Sequence, residues 1–321
     1  MSELYNESGY IPSELDPQGL ELYESYESAW DEKYDQDKQP QIVTWSSFSS
    51  EVDERANKWN ELRDNGYLPL WWYLARIQNI PLWISNQSNW GSCAGWSTGG
   101  GYMTSLLLQT FLGGYEFTQI NPSAAWLVSK SWSTSGGQSM PKIMATCNQD
   151  GNWPTRIVGT HPTQVSQSSV TSSISVAKQH QIGACRLPGK GKSLVDIVIR
   201  CLEAGLVIPI GTSVKISGAS INSDGIKELQ LGGSWMHAML LDSIVKHNNK
   251  TYIGLLNSHG DNRYPGTDRF KKPNSGGWLT VDKCVQLLSG SFCDCFVITH
   301  SESKINQDRS LAPIPVYIDH L

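Results

Sequence analysis

The stretch N-Q-S-N-W-G-S-C-A-G-W-S, residues 86–97, decides the fold. It begins as a polar turn and continues, from Cys93 to about Leu112, with apolar side chains every three to four residues, which predicts a helix. A cysteine at a helix N-terminus lies at the positive end of the helix dipole, which favours the reactive thiolate. Three consecutive glycines, residues 99–101, predict that a neighbouring element packs very close to this helix.

A thiolate needs a histidine partner and an oxyanion donor before it can act as a catalyst. Downstream, G-G-S-W-M-H-A-M-L-L-D-S-I-V (residues 232–245) leads a histidine into an apolar run, and Y-I-G-L-L-N-S-H-G (residues 252–260) ends a second such run. Two shorter stretches accompany these motifs: G-G-Q-S at residues 136–139 lies between them, and G-W-L at residues 277–279 follows them.

In this order the stretches resemble the active-site segments of papain-like cysteine peptidases. Residues 86–97 resemble N-Q-G-x-C-G-S-C-W-A-F-S, and His237 follows Cys93 by 144 residues, an interval typical of papain relatives. The similarity extends over residues 80–299. It implies an α+β fold of two lobes, in which a helical N-terminal lobe carries Cys93 and an antiparallel β C-terminal lobe carries His237 and Asn257.

The resemblance also implies a role for each matching residue. Cys93 would be the nucleophile, His237 its proton partner, and Asn257 the residue that orients the imidazole. Gln87, six residues before the cysteine, would form the oxyanion hole with the backbone N–H of Cys93. The residues assigned to substrate binding are Gly136, Gly137 and His259. No cofactor and no metal ion are expected.

The sequence departs from the family pattern at positions near the site. Ala94 stands where the family has a tryptophan, and Trp90 stands where it has a cysteine, so the disulfide bond usual near the cleft is not expected. His259 replaces the tryptophan of N-S-W-G, so a titratable ring takes the place of the apolar cover over the histidine–asparagine hydrogen bond. This replacement predicts weaker shielding and an altered pH range of activity.

The composition is that of a folded protein, with 39% apolar and 17% charged residues in 321. No run of about 20 apolar residues predicts a membrane-spanning helix, and the acidic first 20 residues resemble no secretory signal. The basic residues are scattered, which argues against a nucleic-acid surface. Seven cysteines without a signal indicate mostly free thiols in a reducing compartment. We therefore expect a cytoplasmic or virion-associated protein that binds neither nucleic acid nor a membrane.

The apolar patterning predicts further elements outside these stretches. Residues 163–177 are rich in Ser and Thr and fit either a strand or a loop. The run L-P-L-W-W-Y-L, residues 68–74, is expected to pack against the body. Helices are predicted over residues 47–65 and 194–202, and strands over 206–213, 238–245, 250–257 and 296–299.

Three regions are predicted: an acidic arm over residues 1–79, a papain-like domain over 80–300 and an extended tail over 301–321. Residues 1–60 carry 14 acidic and 4 basic side chains, and the first 40 are expected to be extended. Such an arm allows three interpretations: an inhibitory pro-segment along the cleft, an assembly arm that docks on a neighbouring subunit, or a solvated tail.

The function that these observations favour is hydrolysis of peptide bonds in a peptide or protein substrate, through an acyl-enzyme at Cys93. Two alternatives remain open. One is a weakly active or inactive structural or assembly protein of papain fold, such as a phage virion component associated with capsid or tail. It would assemble with itself or with virion neighbours through residues 1–79 and 301–321. The other is a Cys–His amidase that acts on cell-wall peptides.

Overall fold

The structure is a computed structural model that describes residues 10–28, 42–64, 70–77, 79–82, 86, 87, 90–113, 117–260 and 263–301. Predictions that fall on other residues, including nearly all of the tail 301–321, lie outside the described residues.

Helices dominate the first half of the described chain and strands dominate the second. The helices are α1 (Pro17–Ser25), α2 (Trp45–Asp64), α3 (Trp71–Ile77), α4 (Cys93–Gly113), α5 (Pro122–Ser129), α6 (Met140–Gln149), α7 (Thr155–Val158), α8 (Gln167–Ser172), α9 (Ile174–Ala177), α10 (Gly191–Glu203) and α11 (Val281–Leu287). The strands are β1 (Tyr10–Ile11), β2 (Glu27–Ser28), β3 (Ile42–Val43), β4 (Gln138–Ser139), β5 (Ile182–Arg186), β6 (Ile208–Ile221), β7 (Lys227–His247), β8 (Lys250–Leu256), β9 (Gly276–Thr280) and β10 (Cys293–Ser301). This order confirms the predicted α+β class, with the cysteine on the helical side and the histidine on the strand side.

Helix α4 joins the two lobes, because it contacts α3, α5 and α6 as well as β7 and β10. Its glycines permit this packing. A Cβ atom at Gly99 would lie 2.6 Å from Cγ of Pro122 in α5, and one at Gly101 would lie 3.0 Å from Cγ of Pro209 in β6. The close approach predicted from the glycine run is confirmed. The contacts that it allows offset the roughly 1 kcal/mol that each glycine costs a helix.

The main sheet has eight strands in the order β2-β3-β5-β10-β6-β7-β8-β9. From β5 through β9 the neighbours are antiparallel, while the short N-terminal strands β2 and β3 extend the sheet in parallel. Strand β7 is 21 residues long and pairs with β6 and β8. Near its start it also pairs with β9, where Glu228 lies opposite Trp278, so the sheet curls back on itself.

Residues 236–245 of β7 are buried on both faces of the sheet, which explains the continuous apolar run there. Ala238 and Leu240 belong to the core around α4. Met239 and Leu241 belong to a second core, which includes residues of α2, α10 and α11. Alternate residues of one strand thus tie the two cores together.

Most of the predicted elements are confirmed. The helix over 47–65 is α2, the helix over 194–202 lies within α10, and the four predicted strands overlap β6, β7, β8 and β10. Residues 163–177, for which the sequence allowed either a strand or a loop, form mostly the short helices α8 and α9. The reason is capping: the backbone N–H of Ser169 donates to Ser166 Oγ (3.2 Å), which satisfies the start of α8.

The acidic arm differs from the prediction over its described part. The expectation that it is extended is wrong at α1, which begins after the cap residue Asp16 (Gly19 N to Asp16 Oδ1, 3.0 Å) and packs against α6. The packing predicted for residues 68–74 is confirmed for Trp71 and Trp72, which are fully buried in α3. The division of the chain at residue 79 stays a prediction.

Candidate active site

Cys93 is the first residue of α4, and its side chain is fully buried. The backbone N–H of Ala238, the residue after His237, donates to Cys93 Sγ (3.4 Å). Burial raises the pKa of Cys93 to about 12, while the backbone N–H groups of Ala238, Ala94 and Cys93 itself act in the opposite direction. The helix terminus therefore does not outweigh burial here, and the thiol is neutral at pH 7 in this arrangement.

His237 and Asn257 come together because β7 and β8 are neighbours in the sheet. Leu240 of β7 lies opposite Leu256, the last residue of β8, so Asn257 follows directly beside the strand that carries the histidine. The imidazole Nε2–H donates to Asn257 Oδ1 over 2.7 Å, and both side chains are buried. An amide oxygen can only accept, so this contact puts the proton of a neutral imidazole on Nε2.

Two aromatic rings flank the imidazole of His237. His259 stacks on it, with ring centroids 4.6 Å apart and planes 8° apart. Trp235 lies 4.5 Å from it, centroid to centroid, at an angle of 49°. His259 thus covers the ring where the family has a tryptophan, although the residue retains exposed surface. Its partial burial, together with the positive charge of Arg263, lowers the pKa of His259, which favours the neutral ring.

Gln87 is buried next to the residues that follow Asn257. Its backbone N–H donates to the carbonyl of Ser258 (2.9 Å), and Ser258 Oγ donates to Gln87 Oε1 (2.5 Å). Its amide nitrogen donates to the carbonyl of Trp90 (2.8 Å), and the neighbouring Asn86 forms a β-bridge with His259. The loop before α4 is therefore bound to the loop after β8.

Gly136 and Gly137 precede β4, the strand that leads into α6. Gly136 has a φ of +68°, and Lys130 Nζ donates to the carbonyl of Gly137 (2.8 Å). The edge that follows these glycines is already paired: Tyr10 lies opposite Gln138 and Ile11 opposite Ser139, in parallel. Part of the arm therefore lies directly next to the two glycines assigned to substrate.

Tyr10 is fully buried against the strand beside His237. A Cβ atom at Gly211 would lie 2.2 Å from the Tyr10 ring, and Gly211 pairs with Ala238 across β6 and β7. The phenol donates to Asp294 Oδ2 (2.6 Å), a buried carboxylate that also accepts from the backbone N–H of Ser13 (2.9 Å). Burial, and then the charge of Asp294, raise the pKa of Tyr10 far above its ordinary range.

The structure thus joins His237 to Asn257 by a side-chain hydrogen bond, and the backbone N–H of Ala238 links Cys93 to the strand that carries His237. Gln87 and His259 lie beside this group. Gly136 and Gly137 lie beside the docked arm instead. The sequence patterns did not indicate three residues that the structure adds to the site. Two are Tyr10 and Trp235, and the third is Tyr264, whose phenol oxygen accepts from the side-chain amide of Asn257 (3.0 Å). Trp235 lies two residues before His237 on β7. Because side chains two residues apart lie on the same face of a strand, this spacing could have identified Trp235 as a neighbour of the histidine. Nothing in the sequence pointed to Tyr10 or Tyr264.

The described residues contain no group of three or more His, Cys, Asp or Glu side chains placed to hold a metal ion. Cys293 and Cys295 have sulfur atoms 3.8 Å apart, and none of the seven cysteines, all in described segments, forms a disulfide bond. None of the helices described is long and apolar enough to cross a membrane.

A thiol at a helix N-terminus, an imidazole on a neighbouring strand and an amide that orients it are the parts of a cysteine-peptidase site.

No family model and no curated protein matches the chain. The solved structures that it resembles are papain-like cysteine proteases. They include digestive procathepsin L 3 of Tenebrio molitor larval midgut (16% identity, TM-score 0.48, 67% of this chain and 66% of that one). Xylellain, a cysteine protease from Xylella fastidiosa, is 13% identical (TM-score 0.48, 70% of this chain and 84% of that one). Bromelain from Ananas comosus is 13% identical (TM-score 0.43), and the match covers 71% of this chain and 97% of bromelain.

Nothing in these comparisons supports a phage origin, which stays a prediction. With identities of 13–16% and TM-scores below 0.5, the chemistry has to be argued from the residues of this chain.

Proposed function

We propose that the protein is a thiol peptidase that hydrolyses peptide bonds through an acyl-enzyme at Cys93. The observation that carries the proposal is the pair of short contacts at His237. Its Nε2–H donates to Asn257 Oδ1 (2.7 Å), and the next backbone N–H donates to Cys93 Sγ (3.4 Å). The first contact leaves the proton of a neutral imidazole on Nε2, so Nδ1 is the nitrogen that would take the proton of the thiol.

The reaction that follows from this arrangement has two halves. The Cys93 thiol transfers its proton to His237 Nδ1, and the sulfur attacks the peptide carbonyl carbon to form a tetrahedral oxyanion. The backbone N–H of Cys93 and the Gln87 amide would stabilise this oxyanion. The C–N bond then breaks, and the imidazolium gives its proton to the departing amine. A water molecule, deprotonated by His237, hydrolyses the thioester and restores the thiol.

A second candidate is a weakly active or inactive assembly protein of the same fold. The observation that favours it is the complete burial of Cys93, together with the Tyr10 segment paired next to Gly137. The Cys93 thiol has no exposed surface, so a peptide could reach it only after some part of the chain moves. Self-assembly through residues 1–79 and 301–321, a virion location and amidase action on cell-wall peptides stay predictions.

The test is cleavage of a peptide library by the full chain, read by mass spectrometry. Cys93→Ala should lower cleavage on the order of 1000-fold, because the nucleophile is gone. Cys201→Ala, at another buried cysteine remote from the site, is the matched control and should keep the activity. Equal cleavage by wild type and Cys93→Ala would refute the proposal. No cleavage by either, together with stoichiometric copies of the chain in a particle, would favour the assembly protein.

A further inference from the structure

Two thiols are in contact at the start of β10. The sulfur atoms of Cys293 and Cys295 are 3.8 Å apart, a distance at which either thiol can donate to the other. Both side chains face the core that contains residues of α10 and α11. Cys295 is buried, whereas Cys293 retains exposed surface. An oxidant dissolved in water therefore meets Cys293 first.

The residue between the two cysteines, Asp294, holds the arm on the opposite face of the strand. Its buried carboxylate accepts from the phenol of Tyr10 (2.6 Å), and from the backbone N–H and the hydroxyl of Ser13 (2.9 and 2.6 Å). The guanidinium of Arg186 also donates to it (3.3 Å). One carboxylate, carried between the two thiols, thus anchors the first described residues of the arm.

A disulfide bond between the two cysteines would change the backbone at Asp294. On an extended strand, the Cβ atoms of residues two apart lie about 6.5 Å from each other, whereas a disulfide bond holds its Cβ atoms about 4 Å apart. Cys293 is the first residue of β10, and the pairing of β10 with β6 begins there, opposite Thr212. Closing the disulfide therefore bends this end of the strand and displaces the carboxylate of Asp294.

The two thiols are suited to different steps of an oxidation. Burial, and then the hydrogen bond with Cys293, raise the pKa of Cys295 well above its ordinary range, so this thiol keeps its proton. Cys293 has contact with solvent, and an accessible thiol that can ionise is the one that reacts with a dissolved oxidant. Cys295 lies in place to attack the oxidised sulfur afterwards.

We propose that Cys293 and Cys295 are a hydroperoxide-sensitive dithiol that controls how firmly Asp294 holds the arm. The Cys293 thiolate attacks the outer oxygen of a hydroperoxide, the O–O bond breaks, and the other oxygen leaves with a proton as an alcohol. This step makes Cys293 a sulfenic acid. The sulfur of Cys295 then attacks that of Cys293, the S–O bond breaks, and the hydroxyl leaves as water with the Cys295 proton.

The dithiol is oxidised by two electrons to the disulfide, and the hydroperoxide is reduced to an alcohol and water. This chemistry does not require the proposed peptidase activity.

The test treats the full chain with hydrogen peroxide, alkylates the remaining thiols with iodoacetamide in denaturant and maps the cysteines by mass spectrometry. Trypsin releases residues 284–304 as one peptide, which contains Cys284 as well as the pair. Oxidation should remove two hydrogen atoms from this peptide and leave Cys284 as its one alkylated residue, and dithiothreitol should reverse the change. Cys93→Ala, which lacks the proposed nucleophile, should give the same result.

Single substitutions assign the two steps. Cys293→Ala and Cys295→Ala should both abolish the disulfide bond. Cys295→Ala should in addition accumulate the sulfenic acid of Cys293, which dimedone traps. The matched control is Cys284→Ala, the same change at a buried cysteine of the same core, which should still form the disulfide bond.

Hydrogen–deuterium exchange measures the effect on the arm. After oxidation, the backbone N–H of Ser13 should exchange on the order of tenfold faster, the effect of losing a hydrogen bond to a charged group. Peptides from β8, which lies three strands away from β10, should exchange at an unchanged rate and so exclude general unfolding.

Each outcome decides one part of the proposal. A peptide that keeps all three thiols, a disulfide bond that includes Cys284, or a Cys293 that ends as a sulfinic acid would overturn the dithiol. A disulfide bond between Cys293 and Cys295 with unchanged exchange at Ser13 would overturn its control of the arm. None of these results depends on peptide cleavage, so they are distinguishable from a failure of the peptidase.

Discussion

The imidazole of His237 has two aromatic neighbours, and one of them, His259, can itself take up a proton. At pH 7 the stacked His259 is neutral, because burial and Arg263 lower its pKa. As the pH falls, a proton on His259 would place a positive charge on a ring whose centroid is 4.6 Å from that of His237. Like charges at this distance oppose the imidazolium that the thiolate needs as its partner. A tryptophan at the same position could not have this effect.

His259→Phe should therefore extend the reactivity of Cys93 toward acid. We expect the ratio of alkylation rates at pH 4 and pH 7 to rise roughly threefold over wild type, the equivalent of about half a pKa unit, because the pKa of His259 is lowered to about 4. His247→Phe, at a histidine in contact with Phe270 instead of the site, is the control and should leave the ratio unchanged. A ratio in His259→Phe that equals or falls below wild type would show that His259 does not set the acid limit.

At the scale of elements, the N-terminal segment of β1 and α1 behaves as part of the body. Tyr10 reaches Asp294, 284 positions along the chain, and Ser139 Oγ donates to Asp16, the cap of α1. Tyr10 and Cys93 lie in the same core. Among the three interpretations of the arm, these contacts argue against a solvated tail over residues 10–28.

Gly211→Ala should release this segment. The new Cβ would lie 2.2 Å from the Tyr10 ring, far closer than packing allows, so Tyr10 must leave its position. We expect alkylation of Cys93 to accelerate several-fold, because the thiol gains access to solvent. Gly218→Ala in the same strand is the matched control, since no atom lies within 4 Å of its added Cβ. If alkylation is equally slow in both variants, some other part of the chain covers the thiol.

For the molecule as a whole, a buried ion pair holds α3 against the strand lobe. Lys272 donates to both oxygens of Asp242 (2.6 and 2.7 Å), and neither side chain has exposed surface. Trp71 Nε1 donates to the same carboxylate (2.7 Å), and the Lys272 ammonium lies 4.5 Å from the ring centroid of Trp72. Burial lowers the pKa of Lys272, and Asp242 opposes that change.

Lys272→Met should lower the free energy of unfolding by about 3–5 kcal/mol, because it leaves a buried carboxylate without its cation. Lys246→Met is the matched control, since Lys246 pairs with Glu203 at the surface and is 67% exposed. Its effect should stay below about 1 kcal/mol. Chemical denaturation of both variants measures the difference. Ser243 Oγ also donates to Asp242 (2.9 Å). A loss in Lys272→Met as small as that of the control would mean that Trp71 and Ser243 suffice to hold the carboxylate.

The α+β class, the helix that begins at Cys93 and the strands that bring His237 beside Asn257 could all be predicted from the sequence. These features depend on local periodicity, on glycines in a helix and on the order of short motifs, all of which can be read along the chain. Three features became evident only in the folded chain: Tyr10 of the arm lies in the core on Asp294, Cys93 is buried and neutral, and Tyr264 accepts a hydrogen bond from Asn257. Each of these depends on contacts between separate segments, and a pKa depends on burial, which no local pattern records.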